Sequence, residues 1–166
     1  MREPLKDKTR LEHILMSAEN VIRFTKGKTF DDMQADDMMS YAVVYNIMSI
    51  GEAAYHLSKA FRGEHPDTQW EIIMKMRNVL AHDYYKLNIQ TVWEVVQNDL
   101  PPLREQVAKY LAETDWEKWE KNAAAVSESA VHKSIVQTAK RMKKDGMDVK
   151  LISRYTGLSA EEIDSL

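Results

Sequence analysis

The chain has 166 residues, a formal net charge of −3, 44% hydrophobic residues, 30% charged residues and no cysteine. This length suits one domain with at most a short appendage, and it is enough to bury a core. The lack of cysteine excludes disulfides, zinc–thiolate sites and cysteine nucleophiles. The mild negative charge argues against a surface coated for nucleic acid, so a basic binding surface would have to be local. No segment has the apolar run of a membrane span or a signal peptide, which predicts a cytoplasmic protein without a membrane partner.

Apolar residues recur at helical spacing through most of the first 115 positions. This pattern predicts four long helices, which cover about residues 11–24, 38–61, 68–82 and 89–113. Asn88 is placed to cap the fourth helix, and Asp36 or Asp37 the second. The Pro101–Pro102 pair must kink or restart the fourth helix, because proline lacks an amide donor. The sequence therefore predicts an all-α fold, an antiparallel bundle of four to five helices with short joins.

The composition changes beyond about Asp115, where the chain becomes polar and alanine-rich. We expect a linker or a loosely packed helix there, followed by three short helices that stop at Gly146 and Gly157. Ser159 and Glu162 have the spacing of a capping box. The sequence thus predicts a bundle over 1–115 and a linker with a helical tail over 116–166. The tail superficially resembles a helix-turn-helix, but its acids nearly equal its bases, which favours packing or partner binding over nucleic-acid binding.

One segment, "MRNVLAHDYY" at residues 76–85, concentrates polar and aromatic side chains. Arg77 and His82 lie about 140° apart around an ideal helix, whereas Asn78 and His82 face the same way. One interpretation is a helix C-terminus whose histidine interacts with the helix dipole. The other is a reaction centre, because arginine binds phosphate and histidine moves protons near neutral pH. Those two groups are what phosphodiester cleavage without a metal requires.

The segment "RNVLAH" matches the R-x4-6-H signature of HEPN-domain ribonucleases, and "HDY" extends it to the R-x4-H-x-Y form of HepT-like toxins. Four ordered blocks of the chain are similar to HepT-family segments: "RLEHIL", "IGEAAYHLS", "HPDTQWEIIMKMRNVLAHDYY" and "VWEVVQNDLPPLREQV". The resemblance covers about residues 10–112.

This resemblance implies the toxin of a type VII-like toxin–antitoxin module. Such a protein is a homodimeric, metal-independent endoribonuclease without a cofactor, and its active site lies at the dimer interface. Arg77 and His82 would be the catalytic pair, with Asn78 orienting RNA. The implied chemistry is attack of an RNA 2′-OH on the adjacent phosphate, with tRNA as one candidate substrate. The four histidines outside the motif share no metal-binding spacing: His13, His56, His65 and His132.

The resemblance also implies a partner, an MntA-type nucleotidyltransferase antitoxin that silences the toxin by AMPylation of Tyr84. Phosphate groups two residues from His82 would put negative charge into an RNA-binding cleft. The runner-up function is a non-catalytic HEPN partner of a nucleotidyltransferase. A DNA-binding regulator that uses the tail is a third hypothesis.

Two further positions belong to the family pattern or depart from it. Gly51 and Glu52 fall in the "IGEA" block. Two interpretations of these residues are equally supported. One is structural, with close helix packing at Gly51 and an ion pair from Glu52 to Arg77. The other is a direct role in the RNA site. Tyr45 stands where many relatives have an arginine. If that arginine helps to bind RNA, this chain binds RNA differently or more weakly.

Overall fold

A computed structural model describes residues 6–82 and 88–166. Within these ranges the side chains of residues 78, 79, 81, 82, 124, 126–128 and 130 are not described. The described chain is helical throughout and contains no strand, which confirms the all-α prediction. Among the described residues, no helix combines the length and the apolar character needed to span a bilayer. The chain divides into two compact units, Met1–Trp116 and Glu117–Leu166.

The first unit, called the bundle below, contains seven α-helices and one π-helical segment. In chain order these are α1 (Asp7–Thr25), α2 (Phe30–Ala35), α3 (Asp37–Tyr55), α4 (Lys59–Glu64), α5 (Trp70–His82), α6 (Ile89–Glu94), the π-helical segment Val95–Asp99, and α7 (Leu100–Glu113). Helix α3 packs against both α1 and α5, and α7 packs against α1. Each of these helices buries the apolar face that its periodicity predicts, as Ile14 of α1 and Val107 of α7 illustrate.

The second predicted helix is shorter than expected, because α3 ends at Tyr55 and a separate helix α4 follows. The hydroxyl of Ser58 accepts a hydrogen bond from the amide of Phe61 and caps α4. The carboxylate of Asp7, itself buried, accepts bonds of 2.7 Å from both the amide and the hydroxyl of Ser58. The apolar periodicity continues across this break, which is why the sequence prediction of one helix to Phe61 was wrong.

One other local prediction needs correction. The join between the first two predicted helices contains a further short helix, α2, which begins with a capping box between Thr29 and Asp32. The Pro101–Pro102 pair lies where the helix restarts, as predicted: the π-helical segment precedes α7, and both prolines lie in the first turn of α7, where their missing amide donors cost little. The predicted cap is confirmed, since the side chain of Asn88 accepts from the amide of Gln90.

The second unit, called the C-terminal unit below, is built from three helices: α8 (Trp116–Lys144, which starts at the last residue of the bundle), α9 (Val149–Thr156) and α10 (Ala160–Asp164). Of the two alternatives for the segment after Asp115, a linker or a helix, the helix is present, and it is continuous with the first of the expected short helices as α8. No glycine or proline interrupts 116–144, and its alanines favour helix. Helices α8 and α9 end at the predicted stops, where Gly146 and Gly157 adopt positive φ angles, and Ser159 and Glu162 form the predicted capping box.

Candidate active site

Helices α3 and α5 approach each other closely at Gly51. A Cβ atom on Gly51 would collide with the Cβ of Arg77 and would lie 3.0 Å from the carbonyl oxygen of Ile73. Only glycine therefore fits at this position with the helices in place. The crossing brings Arg77, the arginine of the R-x4-H motif, against the C-terminal part of α3. The close helix packing expected at Gly51 is therefore present.

Glu52, the next residue of α3, pairs with Arg77 across this crossing. Its Oε2 atom lies 2.7 Å from Nη2 of Arg77. The two side chains are 45% and 34% exposed, so solvent screens their attraction. An exposed ion pair contributes only about 0.2–1 kcal/mol to stability. The main consequence of the pair is that it fixes the direction of the guanidinium group. The ion pair expected as one alternative for Glu52 is thus present.

Tyr55 and His56 complete a cluster around this ion pair. The Cζ atom of Arg77 lies 5.8 Å from the centroid of the Tyr55 ring, at the outer limit of a cation–π contact. The Nε2 atom of His56 lies 3.0 Å from Oε1 of Glu52. The rings of Tyr55 and His56 meet edge to face at 5.4 Å. Glu52, Tyr55, His56 and Arg77 are called the Arg77 cluster below.

The Arg77 cluster combines a phosphate-binding cation, a proton carrier and an aromatic surface, all open to solvent. Neither His56 nor Tyr55 was among the site residues predicted from the sequence. The spacing of four between Glu52 and His56, which puts the two on one helix face, was the available signal. Within the described residues, no group of three or more His, Asp or Glu side chains is placed to hold a metal ion.

The remaining predicted site residues are only partly described. Asn78 and His82 belong to the last turns of α5, but their side chains lie outside the described part of the structure. Tyr84 lies outside the described residues altogether. Tyr45 is on α3 seven residues before Glu52, which places both on the same side of that helix.

Tyr45 belongs to an exposed row on α3 that also contains Met38 and Tyr41. These three side chains, called the α3 row below, are 81% (Met38), 70% (Tyr41) and 69% (Tyr45) exposed. Their spacing of three and four residues puts them on one helix face. Exposed apolar side chains in a contiguous row often mark an interaction surface.

Comparison with known proteins adds an independent finding. The family model described as "Ribonuclease HepT-like" matches residues 14–110. This chain belongs to the HepT-like ribonuclease family. The matched segment includes α3, α5 and all four residues of the Arg77 cluster, and it ends before the C-terminal unit begins. Membership confirms the resemblance read from the sequence blocks, and ribonuclease activity is the function that the family supports.

Several HepT-like relatives are similar over the bundle. The chain is 38% identical over 101 residues to "Putative RNase TTE0752" of Caldanaerobacter subterraneus subsp. tengcongensis, covering 61% of this chain and 90% of the relative. It is 30% identical to "Probable ribonuclease HepT" of Thermococcus cleftensis, over 60% of this chain and 90% of the relative. It is 33% identical to "Gamma-glutamylcyclotransferase and putative RNase MJ0434" of Methanocaldococcus jannaschii, over 81% of this chain and 61% of the relative. No solved structure matches significantly.

Proposed function

We propose that this HepT-like protein is the toxin of a toxin–antitoxin module, a metal-independent endoribonuclease whose catalytic pair is Arg77 and His82. The observation that carries the proposal is the position of Arg77. Its guanidinium is partly exposed, is directed by Glu52 across the Gly51 crossing, and lies within the segment that matches the ribonuclease family. A cation that is oriented yet open to solvent is suited to receive an RNA phosphate.

The proposed reaction is an internal displacement at phosphorus. The RNA 2′-oxygen loses its proton and attacks the adjacent phosphorus, while the bond to the 5′-oxygen breaks and that oxygen gains a proton. The products are a 2′,3′-cyclic phosphate and a 5′-hydroxyl. Arg77 would neutralise the non-bridging oxygens as their charge grows, His82 would transfer a proton, and Asn78 would orient the substrate.

Glu52 supports this role of Arg77 in the RNA-free protein. A carboxylate 2.7 Å from the guanidinium restrains the position of that group, but it also competes with an incoming phosphate. Because the guanidinium has five donors in a planar fork, it can keep one bond to Glu52 and offer others to RNA. Under this proposal Glu52 positions Arg77.

The proposal includes a homodimer with the active site at its interface. The α3 row supports it, because an exposed apolar row on the helix that carries Glu52 and His56 would be covered by a second copy. A composite site would also relax the need for Arg77 and His82 to share one helix face, since they are about 140° apart.

The proposed antitoxin is an MntA-type nucleotidyltransferase that attaches AMP units to Tyr84. Residue 84 follows His82 by two positions. Added phosphates would therefore bring negative charge next to the proposed proton carrier and repel RNA. The competing function, a non-catalytic HEPN partner of a nucleotidyltransferase, needs neither Arg77 nor His82 for activity.

The decisive experiment measures cleavage of total cellular RNA and growth arrest on induction. His82→Ala and Arg77→Ala should each slow cleavage by at least about 100-fold and abolish arrest. Arg104→Ala is the matched control, because Arg104 is another half-exposed arginine of the bundle, paired with Glu19 at 3.3 Å. Cleavage by His82→Ala at the wild-type rate would show that the proposed active site is wrong, whereas a wild-type chain that cleaves no RNA would favour the non-catalytic partner.

A second experiment addresses the proposed modification. After co-expression with an MntA-type nucleotidyltransferase, the intact mass of the wild-type chain should rise by whole AMP units. Tyr84→Phe should remove the increase and Tyr85→Phe should keep it, because only Tyr84 occupies the H-x-Y position. AMP units that persist in Tyr84→Phe would show that another residue is the acceptor.

A further inference from the structure

Cleavage by 2′-OH attack needs two proton transfers, one from the attacking oxygen and one to the leaving oxygen. The proposed catalytic pair contains one proton carrier per chain, His82. The Arg77 cluster contains a second histidine, His56, that neither the family motif nor the proposed function uses. We propose that His56 is the general base of the reaction, oriented by Glu52, and that it removes the proton from the 2′-OH. This inference rests on the proposed ribonuclease function.

The hydrogen bond between His56 and Glu52 defines which ring nitrogen is available. Glu52 pairs with the guanidinium of Arg77 as a carboxylate, and carboxylate oxygens only accept hydrogen bonds. The Nε2 atom of His56 must therefore donate to Oε1 of Glu52 across the 3.0 Å separation. In the neutral ring the Nδ1 atom then carries the lone pair. Among the described residues, Nδ1 of His56 has no hydrogen-bond partner, and the side chain is 47% exposed.

Glu52 also places this base beside the phosphate-binding group. One of its oxygens lies 3.0 Å from Nε2 of His56 and the other lies 2.7 Å from Nη2 of Arg77. A carboxylate that orients an imidazole through one nitrogen while the other nitrogen faces the reactant is the arrangement found in catalytic triads. Glu52 therefore links the imidazole of His56 to the guanidinium that is proposed to bind the phosphate.

Tyr55 limits where the two groups can move. Its ring lies beneath Arg77 at 5.8 Å and against the edge of His56 at 5.4 Å. An ordinary surface ion pair between residues four apart on a helix does not require an aromatic ring against either partner. Such a pair contributes only about 0.3–0.5 kcal/mol to stability. The shared carboxylate and the shared aromatic neighbour distinguish His56 from an ordinary partner of Glu52.

The proton balance of the proposed step is complete within the chain. His56 Nδ1 takes the proton of the 2′-OH as the bond from O2′ to phosphorus forms. The bond from phosphorus to O5′ breaks, and His82 gives O5′ its proton. A later exchange of protons with water restores both histidines. The alternative is that the second proton carrier is His82 of a second copy, in which case His56 has no part in the chemistry.

The experiment uses the full-length chain and an RNA oligonucleotide that covers a cut site mapped on total RNA. Cleavage is compared on the normal linkage and on one with sulfur in place of O5′, because a thiolate leaves without being protonated. The variants are His56→Ala, His56→Gln and His82→Ala. Glutamine at position 56 can still donate to Glu52 but cannot take a proton. His13→Gln, on the exposed face of α1, is the control for removing a surface histidine.

We expect His56→Ala and His56→Gln to be slower by about 100-fold on both linkages. Cleavage by His82→Ala should be slow on the oxygen linkage and return to within about 10-fold of the wild-type rate on the sulfur linkage. Wild-type rates in both His56 variants, or in His56→Gln alone, would overturn the general-base role. Recovery of His56→Ala on the sulfur linkage would overturn it by making His56 the acid. If the wild-type protein cleaves no RNA, the ribonuclease function itself fails, and the role of His56 fails with it.

Discussion

The bundle and the C-terminal unit are both helical, but they differ in how far apart in the sequence their hydrogen-bonded residues lie. In the bundle, polar contacts join residues far apart in sequence, as when Asp7 accepts from Ser58 and Thr68 donates to Gln106. In the C-terminal unit, the described bonds join residues that are closer in sequence, as when Nζ of Lys143 donates to the carbonyl oxygens of Ile163 and Asp164, 20 and 21 positions away. The amide of Ser159 donates to Glu162, three positions away. Its buried core consists of Ala139, Ile152, Leu158 and Ile163.

This difference explains where the candidate site lies. A catalytic group must be held to within a fraction of an ångström, and supporting contacts from a second element achieve this better than local caps do. Arg77 receives that support from α3, through Gly51 and Glu52. The outward side chains of α9, such as Tyr155, are exposed.

The largest expected effect on stability is in the C-terminal unit. Ile152→Ala removes a fully buried side chain from a core of four residues and should cost about 2–5 kcal/mol. Amide exchange measured by mass spectrometry should show lost protection over 149–164 and unchanged protection in α1 and α3, because the described core neighbours of Ile152 all lie in its own unit. Leu151→Ala, at an exposed position, is the control. Equal loss in the bundle would contradict the division.

A smaller effect is expected at the crossing in the bundle. Gly51→Ala places a Cβ against Arg77 and the backbone of Ile73, so the two helices must separate at a cost of about 1–3 kcal/mol. Gly63→Ala is the matched control: it also lies in a helix, but its new Cβ would meet nothing within 4 Å, and a gain of about 0.4–1 kcal/mol is expected. Urea unfolding measures both. Similar behaviour of the two variants would refute the close-packing role of Gly51.

The two capping boxes, one in each unit, allow the effect of losing the same type of cap to be compared between the units. Thr29 with Asp32 in the bundle and Ser159 with Glu162 in the C-terminal unit make the same bonds, at 2.8 and 3.2 Å. Removing either cap with Thr29→Ala or Ser159→Ala should cost about 0.5–2 kcal/mol. Exchange should increase only in the adjoining short helix in each case. Increased exchange throughout the chain in Ser159→Ala would show that the last helix contributes more to global stability than its local capping bonds indicate.

The smallest expected effect is a pH dependence of the bundle. Burial lowers the pKa of His65 below its usual 6.5, against the opposing carboxylates of Glu64 and Asp67. The ring packs between Phe61 and Tyr110, with centroids 4.4 and 4.1 Å away. Because the unfolded chain binds the proton more readily, the stability of the bundle should fall as the pH drops below 6.5.

Urea midpoints at several pH values measure this slope. In His65→Gln, the urea midpoint should fall less steeply as the pH drops below 6.5. His132→Gln, at an exposed position of α8, is the control and should keep the wild-type slope. If His65→Gln keeps the wild-type slope, groups of the bundle other than His65 cause the loss of stability at low pH.

Much of the helical structure could be predicted from local signals. The Asn88 cap, the stops at Gly146 and Gly157 and the Ser159 box each involve neighbouring residues, and the structure shows all of them. The break after Tyr55 was missed because it depends on Asp7, which bonds Ser58 across 51 positions. The continuity of α8 was missed because polar composition alone does not end a helix that lacks glycine and proline.

The sequence by itself determined the helical class, the caps and the R-x4-H-x-Y motif, because spacing and residue type decide each of these locally. It also contained the four blocks that placed the chain among HepT-like proteins, which the family match confirms. Only the tertiary structure decided which side chains surround Arg77. Glu52 and Tyr55 come from a different helix, and they reach Arg77 because a glycine without a side chain lets two helices pack at backbone distance.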